Sequence, residues 1–80
     1  MATKRVKLTF PQELIKEPVI FTMARKFNVM PNIRRAKVTE SVGEVVLELE
    51  GEEKELAAGI AYLKECGVKV DAVEGDAVGS

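Results

Sequence analysis

The spacing of apolar residues switches from two to about 3.6 and back, and then does so again, which limits the fold more than any other feature of the chain. In residues 4–10, Val6, Leu8 and Phe10 alternate with Lys7 and Thr9, as a half-buried strand requires. Pro11 ends that strand. Pro18 suits the first turn of a helix, because its missing N–H would find no intrahelical partner there. From there to about Lys26, Val19, Met23 and Phe27, flanked by Ile20 and Ala24, recur at spacings of three and four and make one apolar stripe.

After Asn28 the period returns to two, with a fault. Val29 and Ile33 share a parity that Ala36 and Val38 do not, so a bulge near Arg34 and Arg35 is needed to restore a single inward face. Residues 40–43 read as a turn. Val45, Leu47 and Leu49 then alternate with Val46, Glu48 and Glu50 in the most regular strand of the chain, completing a hairpin. Gly51 breaks it. Glu52, Glu53 and Glu55 mark the start of a second helix, where negative charge is favoured. Its stripe is Leu56, Ile60 and Leu63, widened by Ala57 and Ala61, and it runs to about Cys66. Gly67 takes the left-handed position that ends many helices, Val68 and Val70 open a fourth strand, and residues 74–80 read as a flexible tail or linker start.

The order is βαββαβ, an α+β ferredoxin-like arrangement with two helices on one face of a four-stranded antiparallel sheet. At 80 residues there is room for one domain, here residues 4–73, since a body of this size buries only about 60% of its unfolded surface. The second strand lies at a sheet edge in this topology. Pro31, which cannot donate to a ladder, is tolerated there.

Much chemistry is excluded. The chain has no histidine, the usual general base near neutral pH and the commonest metal ligand. Its single cysteine, Cys66, permits neither an internal disulfide nor a zinc or iron–sulfur site. The carboxylates around residues 48–55 lie on a solvated face and a helix start rather than as a tuned pair in a cleft. Gly75 and Gly79 precede no helix and cannot cradle a phosphate. Twelve Lys and Arg against 13 Asp and Glu, net −1, provide no field that would select nucleic acid or anionic lipid. The open sheet face offers Lys7, Thr9, Val46, Glu48 and Glu50, without the stacked aromatics of an RNA-binding sheet. Arg34, Arg35 and Lys37 read as cross-strand partners of Glu44 and Glu48. No stretch is long and apolar enough for a signal peptide or membrane span, so the expected location is cytoplasmic. The chain is expected to be non-catalytic, with no cofactor and no metal.

The hexapeptide Val29-Met30-Pro31-Asn32-Ile33-Arg34 fits packing least well, because Asn has low strand propensity. Its amide donates and accepts together, which suits either a local turn or recognition of a carboxylate and an ammonium group. At this hexapeptide the sequence resembles the NIL domain, named for an Asn-Ile-Leu tripeptide after the first helix, with Arg34 here in the Leu position. The opening Arg5-Val6-Lys7-Leu8-Thr9-Phe10-Pro11, the Pro18-Val19-Ile20 helix start, the Phe27-Asn28-Val29 helix exit and the strand over residues 45–51 resemble that family in order and spacing.

The resemblance implies a regulatory module related to the ACT domain. Such modules occur at the C-terminus of methionine-importer ATPases, where they bind methionine and damp transport, and at the N-terminus of ferredoxins. They commonly pair through the sheet with ligand at the dimer interface. The methionine-site role of the signature Asn maps onto Asn32; Ile33 and Val29 would line the pocket, and Arg34 beside them would block a thioether or select an anion-bearing ligand. The 80 residues contain neither a Walker motif nor a cluster-binding cysteine set. The opening strand and the linker-like tail favour the ferredoxin-associated class.

Two functions follow. The first is a homodimer that senses an amino acid, methionine or a related sulfur compound, through Asn32. The second is an interaction module that docks to a ferredoxin or ABC transporter by strand addition, with no metabolite. Val46 and Thr9 among charges make a small apolar area, which points to weak, concentration-dependent pairing.

Overall fold

The computed structural model describes residues 1–73; residues 74–80, and with them the expected tail, lie outside the described residues. The elements are β1 (Ala2–Pro11), a 3-10 turn (Gln12–Leu14), α1 (Val19–Phe27), β2 (Met30–Val38), β3 (Val42–Gly51), α2 (Glu53–Glu65) and β4 (Lys69–Ala72). The sheet order is β2-β3-β1-β4, with all pairs antiparallel. This is the ferredoxin-like α+β fold, and β2 does lie at an edge. The 3-10 turn has no counterpart in the apolar periodicity, because it buries nothing.

One sheet face carries the core. Val6, Leu8 and Phe10 of β1 and Val45, Leu47 and Leu49 of β3 are buried with Val19 and Met23 of α1, Leu56 and Leu63 of α2, and Val29 and Val68 at the strand entries. Each such side chain contributes about 1.5–3 kcal/mol relative to exposure. The stripe of α2 differs from the expected one. Ala57 and Ala61 are exposed, and Gly59 is buried between Leu56 and Leu63, where α2 passes close to Met23 and Val29.

Both helices end as their last residues require. Asn28 adopts the left-handed conformation, φ 57°, with Val29 N–H donating to Ala24 C=O at 3.1 Å; Asn tolerates this better than other non-glycine residues. At α2, Gly67 has φ 101°. Its N–H donates to Lys64 C=O and that of Val68 to Leu63 C=O, both at 3.0 Å, which is the Schellman arrangement.

The bulge in β2 falls where the parity fault requires it, between Ile33 and Arg35. Ile33, Ala36 and Val38 consequently share the helix-side face, opposite Leu47, Val45 and Gly43. That face is scarcely covered: every residue of β2 except the half-buried Pro31 is exposed. Gly43, expected in the turn, is a buried residue of β3 packed beneath Phe10 and Ile15. The turn is closed by Thr39. Its Oγ1 accepts from Val42 N–H at 3.1 Å, and its N–H donates to Val42 C=O at 2.8 Å.

Candidate functional site

The open face of the sheet is built from cross-strand rows. Asn32 of β2 stands opposite Glu48 of β3, which stands opposite Arg5 of β1; in the next row Met30 faces Glu50 and Glu50 faces Thr3. Directly opposed residues in an antiparallel pair point to the same face, so these six side chains share the surface away from the helices. Five of them, together with Pro31, line a depression of about 380 Å³: Thr3, Met30, Asn32, Glu48 and Glu50.

Its electrostatics follow from the pairing. Arg5 Nε donates to Glu48 Oε2 at 3.1 Å, and a second guanidinium N–H reaches the same oxygen, so Glu48 is held and balanced. Glu44 is drawn to β1 as well, with Lys7 Nζ 3.7 Å from its Oε2. The ion pairs of the open face therefore run from β3 to β1. This corrects the expectation of Arg34 and Arg35 as the partners: the bulge sets Arg35 opposite Val46 and leaves Arg34 between rows, and only Lys37 stands opposite an acid, Glu44. Glu50 has no ion-pair partner among the described residues and leaves the depression acidic. The exposed Asn32 amide makes no side-chain hydrogen bond to the described residues, so its donors and acceptor are available.

The four residues singled out by the sequence are distributed over the sheet. Asn32 faces the depression. Val29 is a core residue, 4% exposed, packed against Gly51 and Gly59. Ile33 is on the helix side and 57% exposed, and Arg34 is the exposed residue of the bulge. Within one chain Asn32 is thus joined by Thr3, Met30, Glu48 and Glu50 rather than by Val29 and Ile33. The alternation in β3 indicates that Glu48 and Glu50 share the open face. Which β2 residue they meet depends on the turn length and the bulge position.

Chemically, the depression offers an amide that can bind a carboxylate and an ammonium together, the Glu50 carboxylate for a cation, a hydroxyl and an exposed thioether. Among the described residues no group of three or more Cys, Asp or Glu side chains could hold a metal ion. No helix among them is long and apolar enough to cross a membrane.

Comparison with known proteins adds to this geometry. The methionine import ATP-binding protein MetN 1 of Listeria innocua is 37% identical over 75 residues, covering 89% of this chain and 22% of that protein. The methionine import ATP-binding protein MetN of Bacillus subtilis is 31% identical over 74 residues, covering 88% and 22%. The chain thus spans about a fifth of the length of these relatives. Among solved structures, the C-terminal domain of an ABC transporter ATP-binding protein from Enterococcus faecalis superposes with a TM-score of 0.77 at 25% identity, covering 89% of this chain and 83% of that one. All three are transporter proteins, so the relatives point to the importer class and away from the ferredoxin-associated class expected from the opening strand and tail. The NIL domain model matches residues 4–72, and the chain belongs to the NIL domain family.

Proposed function

We propose that this chain is a regulatory, non-catalytic sensing domain of a methionine-import ATPase, working at the cytoplasmic face. It takes a free amino acid, methionine or a related sulfur compound, in the depression around Asn32. The observation that carries this reading is the unpartnered Asn32 amide beside Glu50 in an acidic cup. An amino acid presents a carboxylate for the amide N–H groups and an ammonium for the amide oxygen and the Glu50 carboxylate, while Met30 offers an apolar, polarisable surface to its side chain.

A cup on one sheet is open to water, where such contacts are weak. A second copy laid over the open face would cover it, exclude water and strengthen each charge-assisted bond. Ligand would then stabilise the paired state by mass action, and the attached ATPase would respond to the population of pairs. The membership of the NIL family and the named activity of the relatives support methionine as the first ligand to try.

Calorimetric titration tests this. Methionine should give saturable heat, N-acetylmethionine and methionine methyl ester should each bind about tenfold more weakly or worse, and sedimentation should show pairing promoted by methionine. A folded chain that gives no heat with methionine, homocysteine, cysteine or other amino acids at millimolar concentration would overturn the reading.

A further inference from the structure

The two carboxylates that line the depression are not equivalent. Glu50 stands opposite Thr3 on one side and Met30 on the other, so its row carries no cation. Glu48, one row along, stands opposite Asn32 and Arg5. Arg5 is not among the residues lining the depression. It reaches Glu48 from β1, with Nε donating to Oε2 at 3.1 Å and a second guanidinium N–H donating to the same oxygen. The two side chains are 22% and 25% exposed, so solvent screens the pair less than it screens one on the open surface. A guanidinium also keeps its proton across the physiological range.

The other cations on β1 and β2 of this face lie in rows farther from Glu50. Lys7 Nζ is 3.7 Å from Glu44 Oε2, Arg35 stands opposite Val46, and Lys37 stands opposite Glu44. Arg5 is therefore the cation that meets a carboxylate of the depression, and with it in place one carboxylate, Glu50, is left to receive a positive group.

That count separates ligands that share a skeleton. The α-ammonium of an amino acid takes Glu50. A ligand with a second cationic centre, such as a sulfonium in place of a thioether, needs a second carboxylate, and Glu48 is already engaged. Bringing the sulfonium into the cup strips water from a charge without supplying an ionic partner, whereas a neutral thioether loses little hydration and gains contact with Met30. We propose that Arg5 is a specificity-determining residue: by engaging Glu48 it restricts the cup to amino acids with one cationic centre and a neutral side chain, and turns away sulfonium forms of the same skeleton. This role rests on the depression being the sensing site. Arg5 acts through Glu48 and is a positioning residue.

The test is calorimetric titration of the parent and its variants with methionine and with S-methylmethionine, which adds one methyl group and one positive charge, read as the ratio of the two affinities. The parent should prefer methionine about tenfold. Arg5→Met, which leaves Glu48 charged and released, should move the ratio about fivefold or more toward the sulfonium. Glu48→Gln, which removes the charge and keeps Arg5, should move it by a similar factor the other way. The double variant restores the charge of the parent and should return the ratio to within about twofold of it. Arg5→Lys should hold the ratio of the parent, and molar salt should compress every shift. An Arg5 that only supports the fold would weaken both ligands alike and leave the ratio in place. The opposite movement expected of Glu48→Gln keeps the test decisive if Arg5→Met does not fold. A parent that binds neither ligand would overturn the sensing site and this role with it. A parent that binds methionine but prefers S-methylmethionine, or whose ratio is unmoved by Arg5→Met and Glu48→Gln, would overturn the role of Arg5 alone.

Discussion

Met23 of α1 and Gly59 of α2 approach so closely that a Cβ on the glycine would stand 2.9 Å from the Met23 sulfur. Met23 is fully buried, so its thioether has little free volume in which to retreat. A glycine inside a helix costs about 1 kcal/mol relative to alanine. Here that cost accompanies the close passage of the two helices over the sheet.

Gly59→Ala should therefore destabilise the domain by about 1 kcal/mol, the overpacking outweighing the gain in helix propensity. Met23→Ala alone should cost about 2–5 kcal/mol. The double variant should lose less than the sum, since the new methyl group enters space that the thioether vacated. Urea unfolding of the four proteins measures this. Stabilisation by Gly59→Ala would mean that the helices do not meet at this position.

Asn32→Ala should leave stability within about 0.5 kcal/mol of the parent, as expected for an exposed position, yet reduce methionine affinity about tenfold or more. Asn32→Asp keeps the shape but places a third negative charge beside Glu48 and Glu50, and should weaken binding further. Titration calorimetry alongside thermal unfolding separates the two effects. A loss of fold with Asn32→Ala would show the amide to be structural.

The Arg5 and Glu48 side chains are 22% and 25% exposed, between the surface and interior limits for ion pairs. A double-mutant cycle with Arg5→Met and Glu48→Gln should give a coupling of about 0.5–1 kcal/mol that shrinks in molar salt. Coupling near zero at low salt would show the pair to carry no energetic weight. Glu48→Gln should also lower ligand affinity less than Asn32→Ala, because Arg5 already balances the Glu48 charge.

The sequence made β3 legible because each face of that strand meets one environment: Val45, Leu47 and Leu49 face the helices, and Val46, Glu48 and Glu50 face away from them. The bulge was legible from parity alone, and Gly67 from its place after the last apolar residue of α2. Periodicity did not reveal which side of α2 lies nearest α1. Alanines and a glycine are equally plausible in a stripe, and only the separation of the two helices selects Gly59 over Ala57 and Ala61. The candidate site was partly legible for a similar reason. Asn32 is conspicuous as a poor strand former, but its companions Thr3, Met30 and Glu50 are set by register across three strands. Ile33, adjacent in sequence, is carried to the other face by the pleat.

Tyr62 provides a spectroscopic check on the end of α2. It is the chain's only tyrosine. Its hydroxyl is held above the ordinary pKa of 10.0, first by hydrogen bonding to Cys66 one turn along α2, then by desolvation and the nearby thiolate charge. A phenol whose pKa is raised by folding binds its proton more tightly in the native state. Its contribution is therefore fully present below pH 10 and is lost as pH rises through the native value. Absorbance titration of the native chain should give a midpoint above that of the urea-unfolded chain. Cys66→Ala should narrow the gap between the two midpoints, leaving only the part due to desolvation, and the parent should lose stability faster than Cys66→Ala above about pH 10. A native midpoint that does not change in Cys66→Ala would place the cause elsewhere, with the Phe27 ring, whose centre lies 5.6 Å from that of Tyr62, as the neighbour to test next.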